Sequence, residues 1–183
     1  MSAMILAIDP SLDATGWALV RIEPRIFTYQ QARGLLIASG TWESDAKADL
    51  MARMIELADQ LKGWCIAAST AGVRVVAIER PEVGRTYRQH TQQHRPDLAD
   101  AGSVIHAALA PMHVVTGALA LTAHRQLGET ASIEFVKAGV SKKKDRNMIL
   151  RQLYPELVKS NQDRRDAVWL ALSVLTDNRR RWT

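Results

Sequence analysis

The 183-residue chain contains a single cysteine, Cys65. One thiol cannot close an intramolecular disulfide, which excludes the disulfide-stapled class of small secreted folds. An export signal is equally lacking: residues 1–8 carry no basic stretch, and Asp9 ends the apolar run after a few positions. These two absences predict a protein of the reducing cytoplasm. Neither an internal repeat nor a low-complexity linker breaks the chain, so its length predicts one domain over residues 1–183 and not two lobes. Formal charge is missing from residues 101–124, a run long enough to span a bilayer. That run is built on alanine and carries Pro111, Gly117 and the histidines His106, His113 and His124. It predicts helices packed on a sheet, or a dimer interface, and no membrane partner.

What is present is an average soluble composition, 47% apolar and 23% charged, which fits neither a disordered nor a fibrous chain. Lys plus Arg (24) exceeds Asp plus Glu (19), giving +5 and a pI near 9.7. That balance suits a polyanionic partner such as nucleic acid.

Hydropathy sets out the elements in order. Residues 4–8 and 16–22 are apolar runs of strand length around a polar turn, and 34–42 supplies a third strand, so the chain opens as an antiparallel meander. Over residues 45–68, Leu50, Met51, Met54, Ile55, Leu57, Ala58 and Leu61 recur at helical spacing and predict one buried face. Gly72 ends that helix. Residues 73–78 form a β-branched run without alternation, as expected of a strand covered on both faces. Further along, residues 97–110 and 112–127 read as helices divided at Pro111, and 133–136 as a strand. Residues 142–153 read as a basic-starting helix with Met148, Ile149 and Leu153 on its apolar side, and 163–175 as a last helix. The fold class is therefore α/β, a mixed sheet whose antiparallel opening is followed by parallel strands, flanked by helices.

Four carboxylates stand where such a framework would hold them rigidly. Asp9 follows the first strand, Glu79 follows the fourth, and Asp163 and Asp166 lie three apart on the last helix, on one face. Like charges gathered at one end of a sheet, without Lys or Arg among them, are tolerable chiefly when a cation binds there. Oxygen ligands select Mg²⁺, with Mn²⁺ able to substitute, over zinc. Two such ions ~3.5–4 Å apart would serve an in-line phosphodiester displacement. Taken singly, each residue has a plainer use: an Asp after a strand forms turns, and Asp163 would cap a helix. Two locations favour chemistry, since Glu79 follows a strand that is apolar but for Arg74 and Asp166 immediately precedes the apolar run 167–172.

Residues 80–96 are polar, aperiodic and basic, holding Arg85, Arg88 and Arg95 together with Tyr87. They predict an exposed loop whose arginines pair with phosphates. His90 and His94 have a spacing that zinc could use on a helix, but no third ligand accompanies them. The tryptophans at 17, 42, 64 and 169 are assigned to the core.

Three blocks resemble the RuvC family of Holliday junction resolvases: Ile-Leu-Ala-Ile-Asp-Pro-Ser-Leu-Asp-Ala-Thr-Gly-Trp at residues 5–17, Val-Ala-Ile-Glu at 76–79, and Asp-Arg-Arg-Asp-Ala-Val-Trp-Leu-Ala-Leu at 163–172. Their order and spacing match the family and span nearly the whole chain. The resemblance implies a ribonuclease H-like fold, a homodimer, and Mg²⁺-dependent paired nicking of a four-way DNA junction, without a small-molecule cofactor. By it, Asp9, Glu79, Asp163 and Asp166 are the metal ligands. It further implies lysines near the scissile phosphate, Lys137 being one and Lys144 the choice among Lys142, Lys143 and Lys144, all counted as DNA-binding. Ser11 replaces the family's usual glycine, a change that a turn absorbs. The aromatic that commonly follows the family's glutamate is absent, and Tyr87 is the candidate replacement. A divergent loop on a small chain is consistent with a phage or prophage version.

Two other classes stand beside this one. A catalytically silent junction-binding module would keep the basic loop and the dimer. A nucleotide-binding protein of the actin and sugar-kinase type opens with a similar strand, Asp and Thr-Gly turn, but needs two lobes that 183 residues do not supply.

Overall fold

A computed structural model describes residues 3–9, 11, 13–23, 32–45, 47–70, 72–78 and 143–175. Within them the chain forms β1 (Met4–Asp9), β2 (Ala14–Arg21), β3 (Leu36–Glu43), helix α1 (Leu50–Thr70), β4 (Val73–Ile78), helix α2 (Lys143–Leu153), a 3-10 turn (Pro155–Leu157) and helix α3 (Gln162–Leu175). The helices expected at 97–110 and 112–127 and the strand at 133–136 lie outside the described residues.

Strand order is β3-β2-β1-β4, with β1 and β2 antiparallel, β2 and β3 antiparallel, and β1 and β4 parallel. The mixed sheet expected from the sequence is thus present. Strands β3 and β4 run the same way, and α1 joins them as the crossover that parallel strands require. Gly72 follows the helix at φ +91°, a left-handed conformation that costs glycine nothing, and its carbonyl accepts the Met4 N–H at 3.2 Å.

Alternation along the strands divides the sheet into two faces. Ile5, Ala7, Ala18, Val20 and Ala77 join one core cluster with Ala167, Val168, Leu172 and Leu175 of α3, which packs across β1 and β2. Leu6, Ile8, Leu19 and Val76 are buried on the opposite face. Few charges interrupt α3 after its first turn, and every residue from Ala167 to Leu175 is buried. Helix α2 and the 3-10 turn close one side of this core with Leu150, Leu153, Tyr154 and Leu157. The Tyr154 hydroxyl, itself buried, donates to the Ala32 carbonyl at 2.6 Å, and burial with help from the Glu156 carboxylate pushes its pKa up to about 12.

Several apolar side chains are placed differently from the sequence reading. On α1, Leu57 is buried while Leu50, Met51 and Ile55 are exposed, Met51 by 64% and Ile55 by 56%. The helix carries more apolar residues than one contact face needs, so hydropathy alone selects the wrong stripe. On α2, Met148 is 53% exposed and Leu150 buried. Leu150 and Leu153 stand on the face that meets α3, and Met148, two residues from Leu150, is turned away. Of the tryptophans, Trp169 is core. Trp17 and Trp42 are partly buried and stack on each other with ring centroids 5.8 Å apart and 21° between planes. The Trp17 ring covers Gly40, where a Cβ would come within 3.0 Å of it. The side chain of Trp64 lies outside the described residues.

Candidate active site

The carboxyl end of β1 carries Asp9, and strand pairing sets Gly16 of β2 directly opposite it. Both residues lie on the face that α3 covers, because Ala7 and Ala18 do. Gly16 has no room for a side chain: a Cβ there would sit 2.0 Å from the Asp163 carbonyl oxygen, 2.3 Å from its carbon and 2.9 Å from the Arg164 nitrogen. The first turn of α3 therefore rests on the backbone of β2 at the position paired with Asp9. Strand register and a missing methyl group thus bring into contact the elements that carry two of the four predicted carboxylates.

The turn leading away from Asp9 is tied down locally. The buried Thr15 hydroxyl donates to the Ser11 carbonyl at 2.5 Å and accepts from the Ser11 N–H at 3.2 Å, and the Ser11 hydroxyl accepts from the Asp13 N–H at 3.3 Å. Ser11 thus occupies the turn with a hydrogen bond of its own, as expected for a turn that absorbs the change from glycine. Asp13 makes an ion pair with Arg53 of α1, whose Nε donates to the Ser44 hydroxyl at 3.2 Å.

Asn161 caps α3, its side-chain oxygen accepting the Arg164 N–H at 3.0 Å. The alternative use of Asp163 as the helix cap is thereby corrected: Asn161 fills that role, and Asp163 stands inside the first turn. Arg164 reaches back to β3 and donates through Nε to the Ser39 hydroxyl at 2.9 Å. Asp166, one turn further, accepts a hydrogen bond from the Gln162 side-chain amide at 2.8 Å. Asp9, Asp163 and Asp166 are all partly buried.

Gln162 is itself held. Its carbonyl oxygen accepts from the Asn147 amide of α2 at 2.9 Å and from Arg165 Nη2 at 3.3 Å, and its amide also donates to Asn147 Oδ1 at 3.3 Å. Arg165 is buried and donates to the Ser160 carbonyl. The sequence reading missed both amides. The spacing of Gln162 and Asp166 was a usable signal, because residues four apart on a helix are neighbours; the pairing with Asn147 is tertiary and leaves no local mark.

The other predicted residues are distributed as follows. Lys144 is exposed in the first turn of α2. Lys143 opens that helix, and its side chain lies outside the described residues. Glu79, the residue after the Ile8–Ile78 pair that ends β4, also lies outside them, as do Arg85, Tyr87, Arg88, Arg95, Lys137 and Lys142.

No family model matches the sequence. A stretch of 54 residues is 41% identical to the crossover junction endodeoxyribonuclease RuvC of Sphingopyxis alaskensis, and it spans 30% of this chain and 30% of that protein. The whole fold is similar to solved structures of Thermus thermophilus RuvC. One of these, RuvC in complex with Holliday junction substrate, matches with a TM-score of 0.58 at 13% identity over 93% of this chain and 91% of that one. A second matches at 0.56 and 14% over 93% and 92%.

The fold is that of RuvC. The mixed sheet flanked by helices is accordingly of the RuvC, ribonuclease H-like type, and a 54-residue segment is similar in sequence to a RuvC. RuvC-type sites raise the question of a divalent cation. Carboxylates are the donor type such a cation takes, and Gly16 lets α3 approach the strand partner of Asp9. Among the described residues no three acidic, histidine or cysteine side chains converge into a metal-holding group. Asp9, Asp163 and Asp166 are among those residues, so the structure does not bring these three predicted ligands together as one such group; Glu79 lies outside them. Among the described residues, too, no helix is long and apolar enough to cross a membrane.

Proposed function

We propose that the chain is a single-domain, structure-specific DNA endonuclease of the RuvC type that resolves four-way junctions by paired symmetric nicks. The observation that carries this reading is the contact of the Asp163 backbone with Gly16, the strand partner of Asp9, on a RuvC fold. It supports a common site for carboxylates from the first strand and the last helix.

Asp9, Glu79, Asp163 and Asp166 would hold Mg²⁺, with Mn²⁺ able to replace it. A cation so bound supplies a water of lowered pKa and neutralises charge on the phosphodiester. The protein's own part is to fix the donors: the β1–β2 register holds Asp9, the Asn161 cap and the Gly16 contact hold Asp163, and Gln162 holds Asp166. Lys137 and Lys144 would stabilise negative charge on the scissile phosphate. Arg85, Arg88 and Arg95, with Lys142 and Lys143, would pair with the DNA backbone, and Tyr87 would stack on an opened base. Two symmetric cuts require two sites related by a two-fold axis, so the active species is a homodimer, with residues 101–124 as its interface. No membrane and no small-molecule cofactor takes part, and the cytoplasm is where such a protein would work.

The test is a mobile four-way junction incubated with the purified protein in Mg²⁺, Mn²⁺ or EDTA, with products separated on denaturing and native gels. Symmetric nicks that disappear in EDTA are expected. Binding without cleavage in either metal would replace this reading with the silent junction-binding module.

A further inference from the structure

Asp166 is reached by a chain of hydrogen bonds in which every direction is fixed by the donor type. Arg165 can only donate. It contributes Nη2 to the Gln162 carbonyl oxygen at 3.3 Å, and its Nη1 is committed to the Ser160 carbonyl. Asn147 of α2 donates to the same Gln162 oxygen at 2.9 Å. With two donors facing its oxygen, the Gln162 amide has its nitrogen directed to Asp166 Oδ1, 2.8 Å away, and a flipped amide would set oxygen against carboxylate there.

A neutral amide in this position has a specific chemical effect. It restricts the carboxylate's rotation and leaves its full negative charge, whereas a lysine or arginine in the same place would neutralise the group that a cation must meet. The anchor of the amide is not on α3 alone. Asn147 sits one turn after Lys144 on α2, so the amide pair also joins the basic first turn of α2 to the acidic first turn of α3.

From this network we infer that Gln162 is a positioning residue for Asp166, held in register by Asn147 and Arg165. The inference rests on the reading of Asp9, Glu79, Asp163 and Asp166 as a cation site. Removing the amide takes away the hydrogen bond that Gln162 contributes to the orientation of the Asp166 carboxylate. Groups that orient a metal ligand through hydrogen bonds typically change metal affinity by about 10-fold to 100-fold when removed.

The experiment measures Mn²⁺ uptake without DNA, by loss of the free Mn²⁺ electron paramagnetic resonance signal, for wild type, Gln162→Met, Asn147→Ala and Asp9→Asn. Methionine preserves the length of Gln162 and lacks its hydrogen bonds. Thermal unfolding of each variant is recorded alongside. Gln162→Met is expected to weaken Mn²⁺ binding by about 10-fold or more, and Asn147→Ala to weaken it less, with unfolding temperatures near wild type. In junction cleavage, Gln162→Met should need more Mg²⁺ to reach half-maximal rate, and approach the wild-type rate when saturated. Mn²⁺ affinity within twofold of wild type in Gln162→Met, while Asp9→Asn loses binding, overturns this inference alone. Absence of Mn²⁺ uptake by wild type, or unchanged uptake in Asp9→Asn, overturns the cation site and the inference with it. If Gln162→Met proves unfolded, Asn147→Ala decides by the same criterion, because it leaves α3 untouched.

Discussion

Gly16 and Asp163 meet backbone to backbone: a β-carbon on the glycine would fall 2.0 Å from the aspartate's carbonyl oxygen. Asp9 is the strand partner of that glycine, so the contact sets the distance between the two carboxylate-bearing elements.

Replacing Gly16 by alanine must push α3 off the sheet, since the clashing atoms are main chain and cannot rotate away. Gly16→Ala is expected to lower stability by about 1–3 kcal/mol, the usual range for overpacking, and to reduce cleavage far more than junction binding. Urea denaturation and gel-shift assays in EDTA measure the two effects separately. Wild-type cleavage in this variant would remove the contact from any role in the site.

Neutralising a carboxylate without changing its shape isolates charge from packing. Asp9→Asn and Asp163→Asn are each expected to cut the nicking rate at saturating Mg²⁺ by at least about 100-fold, the equivalent of roughly 3 kcal/mol of transition-state stabilisation. Junction affinity in EDTA should be unchanged or slightly stronger, because a negative charge facing DNA is removed. Unaltered nicking by either variant would refute the assignment of that residue.

Tyr154 predicts a pH dependence with a definite sign. Its folded-state pKa is raised to about 12 from an ordinary 10, so the unfolded chain loses the phenolic proton first. The stability that the neutral phenol contributes is complete below pH 10 and declines as pH rises from 10 toward 12. Tyr154→Phe should cost about 0.5–1.5 kcal/mol at neutral pH through the lost bond to the Ala32 carbonyl. The gap between variant and wild type should then narrow in urea titrations at pH 9, 10 and 11; a constant gap would contradict the buried phenol.

The Arg53–Asp13 ion pair marks the opposite extreme. Asp13 is 79% exposed, and exposed pairs contribute little once side-chain ordering and screening are counted. Asp13→Asn should change stability by less than about 1 kcal/mol, and half of that change or more should vanish at 1 M salt. Urea midpoints at low and high ionic strength check this.

Much of the architecture was legible in the sequence. Residues 73–78, a β-branched run interrupted by Arg74 and Ala77, form β4 with those bounds, and the apolar runs around the Asp9 turn form the β1–β2 pair. The reason is physical: a strand covered on both faces needs a nearly continuous run of apolar residues, which no surface element does. The placement of Asp163 and Asp166 together on the last helix was legible for a similar reason, helical spacing being fixed. Side-chain selection on α1 was not, because Leu50, Met51 and Ile55 satisfy the same periodicity as Leu57 and only the sheet decides which is covered. Nor was the Asn147–Gln162 pair, whose members share no element. The Gly16 contact left one trace, a glycine within a strand, which often marks a close backbone approach.

The division of the core between the first two strands and α3 has a consequence for how the molecule comes into being. Ala7, Ala18 and Val20 present an apolar surface that is covered by side chains encoded at the far end of the described chain. During synthesis the amino-terminal strands emerge first and wait, with that face open to water and to other chains. The Asp163 backbone reaches Gly16, the strand partner of Asp9, only when α3 docks, so the two halves of the candidate site stay apart through most of translation. Contacts so distant in sequence slow folding, and they make a chain cut short before α3 both aggregation-prone and unable to assemble this site.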